Sequence, residues 1–205
     1  DLDAATRLIE AGAILLDGRT PEEFARGHLV GSVNVGLDGR YAEFAGSVVP
    51  SDVDIVLVAD PGFEIEARNR LGRIGFDRVV GYLADPLAVM AEHPERTARA
   101  SRLTVPEFER RRAEIDGLQL IDIRNPGEIA IGSIAGSVEL PVGQLPGRLD
   151  ELDPDAPTVV YCAGGYRSSV AASVLRRAGF TDVSDLVGGY GAWLEFAGPS
   201  LPAPV

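Results

Sequence analysis

The sequence predicts an α/β chain of two tandem units, each a mostly parallel sheet with helices on both faces. Three observations carry that expectation. The chain repeats itself at half its length. Short apolar runs alternate with segments of helical spacing. A polar stretch without periodicity separates the halves.

The repeat has two blocks. Residues 12–35 match residues 117–140 at a shift of 105, and Gly12, Asp17, Arg19, Pro21, Glu23, Gly27, Gly31, Ser32 and Val33 fall on identical residues. Residues 55–76 match residues 159–180 at a shift of 104. Units of about 100 residues are long enough to build one core each. The expected division is a first domain over 1–91, a linker over 92–101 and a second domain over 102–205.

The elements follow in order. Asp3 is placed to cap a short helix that Gly12 ends. Residues 13–16 are apolar and strand-like. Thr104 and Glu107 form a capping box, with Pro106 in the first turn of a helix running to about Glu114. Residues 119–123 read as the next strand. Residues 158–161 are apolar or β-branched throughout, the pattern of a strand buried on both faces. Residues 168–178 carry helical spacing (Val170, Val174, Leu175) and stop at Gly179, and residues 183–187 read as a further strand.

Composition excludes several functions. The net charge is −12 and there is no lysine. Neither half offers the basic stripe that nucleic acid requires. Schiff-base chemistry and a Walker lysine are also excluded. No apolar run approaches the roughly 20 residues of a membrane helix. No basic start followed by an apolar stretch reads as an export signal. With Asp1 rather than Met first, the chain reads as a piece of something longer. Two histidines far apart make a metal site improbable, and no cofactor is expected. The single cysteine, Cys162, permits neither an internal disulfide nor a Cys-x-x-Cys metal site. It fits a reducing, cytoplasmic setting.

The chemistry concentrates at that cysteine. Cys162 directly follows the strand 158–161, and a helix beginning near Ser168 directly follows the loop Cys162-Ala163-Gly164-Gly165-Tyr166-Arg167. Ligands of open α/β sheets bind at the carboxyl ends of strands, beside helix N-termini. Two glycines let the backbone curl so that successive N–H groups converge, and those groups, the helix dipole and Arg167 stabilise negative charge at the centre. A lone cysteine in an apolar context is commonly a core residue, but core packing needs neither the glycines nor the arginine. The expected site is Cys162 as nucleophile, with Ala163, Gly164, Gly165, Tyr166, Arg167 and Ser168 as an anion cradle. The shift of 104 sets Val58 opposite Cys162 and Phe63 opposite Arg167. The first unit therefore lacks a nucleophile, and Asp60 and Pro61 make its loop hostile to anions.

The segments LIDIRNPGE (120–128), GSIAGSVELP (132–141), VVYCAGGYRSS (159–169), RRAGF (176–180) and LVGGYGAW (186–193) together resemble the rhodanese domains, a family of sulfurtransferases. The resemblance implies that Cys162 becomes a persulfide, that the loop amides cradle it and that Arg167 closes the loop. Ser133 stands where the family often has histidine. Ala163 stands where many thiosulfate-active members carry a basic residue, which favours a persulfide or protein donor over thiosulfate. Phosphatases of this architecture place five residues between Cys and Arg; here there are four. The stretch 73–83, within a unit lacking Cys and followed by one that has it, is similar to the C-terminal part of metallo-β-lactamase-fold proteins fused to tandem rhodanese domains. That implies a metallo-hydrolase upstream. The expected partners are a small-molecule sulfur donor, a thiol acceptor and an upstream metallo-β-lactamase-fold domain or sulfur-carrier protein. A non-catalytic docking or sulfur-storage module is the competing reading.

Overall fold

A computed structural model describes residues 2–198. The chain forms two compact units, one ending at Ala100 and the other beginning at Ser101.

The first unit contains α1 (Leu2–Glu10), β1 (Ile14–Asp17), α2 (Pro21–Arg26), β2 (His28–Leu29), β3 (Val33–Asn34), α3 (Tyr41–Val48), β4 (Ile55–Val58), α4 (Glu64–Gly72), β5 (Val79–Tyr82), α5 (Pro86–Glu92) and β6 (Thr97–Ala98). Its sheet is parallel in the order β3-β1-β4-β5. Every residue of β1 and β4 is buried, as befits central strands: β4 is apolar throughout, and β1 ends on the buried Asp17, which Arg19 pairs. Asp3 lies in the first turn of α1 rather than at its cap.

The second unit contains β7 (Ser101–Leu103), α6 (Val105–Glu114), β8 (Gln119–Asp122), α7 (Pro126–Ile129), β9 (Val138–Glu139), β10 (Thr158–Tyr161), α8 (Tyr166–Arg177), β11 (Val183–Leu186) and α9 (Gly189–Ala197). Its five strands run parallel in the order β7-β11-β10-β8-β9. The Thr104 capping box forms as expected: the Thr104 N–H and hydroxyl both donate to Glu107, at 2.8 and 2.6 Å. The core gathers Val105, Phe108, Leu120, Ile134, Val159, Tyr161, Leu186 and Trp193. The Trp193 indole N–H donates to Glu109 at 2.7 Å, so the ring closes this core with its polar edge satisfied.

Residues 92–101, expected as the linker, carry secondary structure of their own. They hold a 3₁₀ turn (Pro94–Arg96) and β6, which pairs antiparallel with β2. The Thr97 hydroxyl donates to the carbonyls of Met90 and His93. Strands of two residues are too short to leave a periodic signature in sequence. At the chain's active loop, α8 begins at Tyr166, two residues before the expected start.

Candidate active site around Cys162

Strand β10 ends at Tyr161 and delivers Cys162 to the carboxyl edge of the sheet. Tyr161 anchors that end. Its hydroxyl accepts from the Ile134 N–H at 3.0 Å and donates to Ser137 at 3.0 Å, and burial pushes its pKa up, so it stays protonated.

The Cys162 sulfur is buried, with the residue 1% exposed. Its Sγ accepts the Gly165 N–H at 3.1 Å and lies 3.6 Å from the Ser168 hydroxyl, which donates to the Gly165 carbonyl. The loop closes on the sulfur because Gly165 adopts a φ of 101°, a conformation that disfavours any side chain. Helix α8 then starts, so the sulfur sits at the positive end of a 12-residue helix.

The other wall is the start of α9. The Tyr190 N–H donates to the Cys162 carbonyl at 2.7 Å, and the Gly191 N–H donates to the Ala163 carbonyl at 3.1 Å. In a trans peptide the N–H opposes the C=O. Turning those two carbonyls toward α9 therefore turns the N–H groups of Ala163 and Gly164 away from it.

Arg167 stands beside the sulfur and is drawn to it, but its main partner is Glu128. Both its terminal nitrogens donate to Glu128, each at 2.7 Å. The Arg167 hydrogen bonds, with help from the Asn125 N–H, hold the Glu128 carboxyl well below its usual range, at about 2. Beneath this pair, Arg124 donates to both oxygens of buried Asp122 and to the Gly132 carbonyl, and its guanidinium covers the Tyr190 ring at 4.0 Å. Asp122 and Arg124 thus form a buried ion pair, and Arg124 supports the wall that binds the loop.

Of the expected site residues, the structure gathers Cys162, Gly165 and Ser168 at the sulfur. Ala163 and Gly164 form the exposed rim, while Tyr166 and Arg167 open α8, half-buried. Glu128, Gly189 and Tyr190 were missed. Their signals were present: Glu128 closes an Asn125-x-x-Glu128 capping box, and Gly188-Gly189 marks a close approach of backbone.

The first unit departs at the same place. Asp17 pairs with Val58 in the register of β1 and β4, as Asp122 pairs with Tyr161 in that of β8 and β10. The register sets Ala59, not Val58, opposite Cys162, and Glu64, not Phe63, opposite Arg167. The sequence shift of 104 misses this because it was fixed on the Gly-Phe pair beyond the helix. Gly62, at φ 97°, matches Gly165, but its N–H donates to the Glu64 carboxylate at 2.9 Å. The buried His28 is structural: it stacks on Phe24 at 3.9 Å and its Nδ1 lies 3.0 Å from the Phe24 carbonyl oxygen. Among the described residues, no group of His, Cys, Asp and Glu is arranged to hold a metal, and no helix is long and apolar enough to cross a membrane.

Comparison with known proteins adds a lineage. The family described as Rhodanese-like domain matches residues 1–85 and 104–196. An uncharacterized protein of Bacillus subtilis, YqhL, is 41% identical over 91 residues, which is 44% of this chain and 70% of that protein. A protein named sulfurtransferase from Allochromatium vinosum is 38% identical over 89 residues, or 43% of this chain and 83% of its own. Thiosulfate sulfurtransferase GlpE of Pseudomonas aeruginosa is 39% identical over 88 residues, or 43% and 79%. Among solved structures, a thiosulfate sulfurtransferase from Pseudomonas aeruginosa aligns over 93% of this chain and 40% of its own, at 25% identity and a TM-score of 0.45.

Proposed function

Because the chain belongs to the rhodanese-like domain family, we propose that it is a sulfurtransferase that moves sulfane sulfur from a thiosulfate- or persulfide-type donor to a thiol acceptor through a persulfide on Cys162. The observation that carries this reading is the seat of the sulfur: Sγ accepts the Gly165 N–H at 3.1 Å, beside Ser168 and at the start of α8. That environment stabilises one negative charge on sulfur, whether on the thiolate or on the outer atom of a persulfide.

The donor approaches over Ala163 and Gly164, the exposed part of the loop. The Cys162 thiolate attacks the outer sulfur of the donor. The donor's S–S bond breaks and its electron pair leaves with a thiolate or with sulfite. An acceptor thiolate then attacks the outer sulfur of the Cys162 persulfide and regenerates the thiolate. Arg167 acts here as a positioning residue, since Glu128 holds it. The second unit is the working domain, and the first serves as a scaffold without a nucleophile.

A second reading has one observation in its favour, the burial of Cys162 at 1% exposure. On that reading the chain docks a partner, such as an upstream metallo-β-lactamase-fold hydrolase or a sulfur carrier, and at most stores sulfur. Thiocyanate release in the presence of cyanide separates the two. Sulfur transfer by the unaltered chain, lost in a folded Cys162→Ser variant, supports the enzyme; equal transfer by that variant overturns it.

A further inference from the structure

Three arginines border the Cys162 loop, and a carboxylate holds each of them. Arg124 binds both oxygens of Asp122. Arg102, whose Nη2 would lie 3.6 Å from a Cβ at Gly165, donates from Nε to both oxygens of Asp185, at 3.2 and 3.1 Å. Arg167 gives both terminal nitrogens to Glu128. The acids of the first two pairs are buried, at 0% and 2% exposure, but the Glu128 side chain is 35% exposed at the rim.

The charge around the sulfur is thus balanced pair by pair. What remains positive is the start of α8, with the Gly165 N–H on the sulfur, worth roughly half an elementary charge. That suffices for one negative charge on sulfur. A dianion would meet no uncompensated guanidinium here, and it would approach past the Glu128 carboxylate on a chain of net charge −12.

Resting on the reading of Cys162 as a sulfur carrier, we propose that Glu128 sets the donor class: by occupying Arg167 it fits the site to persulfides, whose sulfur pair carries at most one charge, and against doubly charged thiosulfate. With a persulfide R–S–SH, the Cys162 thiolate takes the outer SH, forming Cys162–S–SH, while RS⁻ leaves with the electron pair. With thiosulfate the leaving group is sulfite, and the persulfide stays anionic. Neither step needs an oxidant.

The test is sulfur loading of the full chain by thiosulfate and, separately, by glutathione persulfide. In Glu128→Gln the ratio of kcat/KM for thiosulfate over persulfide rises about tenfold. The change lies mainly in the KM for thiosulfate and declines with added salt. Glu128→Asp, which keeps the charge, holds the ratio near its native value. An unchanged or lower ratio in Glu128→Gln, with both donors still loading, overturns the role of Glu128 and leaves the carrier reading intact. The unaltered chain gives a second check: a higher kcat/KM for thiosulfate than for persulfide overturns the proposal without any variant. If neither donor loads the unaltered chain, the carrier reading fails and this proposal fails with it.

Discussion

Gly189 approaches Cys162 so closely that a Cβ on Gly189 would lie 2.2 Å from the Cys162 carbonyl oxygen. Gly189 also has a φ of 56°. This contact lets the Tyr190 and Gly191 N–H groups hold the loop carbonyls, and it thereby orients the loop amides. The wall behind the nucleophile is as much a part of the site as the loop that carries it.

Gly189→Ala is therefore expected to cost about 3 kcal/mol, because it combines a backbone clash with a left-handed conformation. Gly164→Ala is the control: a Cβ there meets nothing within 4 Å, and Gly164 is not at positive φ. Thermal unfolding checks both. The Tm falls by more than about 10 °C in the first variant and by less than about 3 °C in the second.

The Asp122–Arg124 pair underlies the same wall, with both residues buried. Removing the acid alone leaves a buried guanidinium without its partner. Asp122→Ala is expected to destabilise by about 3–5 kcal/mol. The double change Asp122→Leu with Arg124→Met should cost less than the single one. Urea unfolding of the two variants measures the difference.

The Arg167–Glu128 pair makes a pH prediction. The folded-state pKa of Glu128 is depressed from 4.5 to about 2. Its stabilisation is therefore fully present above about pH 4.5 and is lost as pH falls toward 2. The carboxylate is a third exposed, so the contribution stays under about 1 kcal/mol. The stability difference between the native chain and Glu128→Gln should be constant from pH 5 to 8 and shrink below pH 4.5. A difference that grows on acidification would contradict the assignment.

The first unit should resist conversion into a sulfur carrier. In Ala59→Cys combined with Cys162→Ser, the new thiol takes the register position of the nucleophile. However, Pro61 offers no N–H, and Glu64 occupies the Gly62 N–H at 2.9 Å. The expected result is no cyanide-labile sulfur on that variant in an intact-mass measurement. Sulfur loading equal to that of Cys162 would show that the loop amides are dispensable.

The tandem α/β plan was legible because the duplication is long and its central strands, β4 and β10, are apolar or β-branched throughout. Cys162, Gly165 and Ser168 were legible because they lie in one short stretch, from the loop into the first turn of α8. The partners of that loop were not, since Glu128 and Gly189 reach it from distant elements and sequence spacing carries no distance information. Residue equivalence across the repeat was also misjudged by one position. The first unit has one residue fewer between the loop and the Gly-Phe pair, and only strand register reveals where. Strands β6 and β7 were hidden by their length.

The central claim is that Cys162 carries sulfur. The most direct measurement is the intact mass of the unaltered chain after brief exposure to glutathione persulfide, followed by cyanide. The account predicts a gain of about one sulfur atom (~32 Da) that cyanide removes, and no gain in Cys162→Ser. No gain on the unaltered chain, or a gain that survives cyanide, would contradict it.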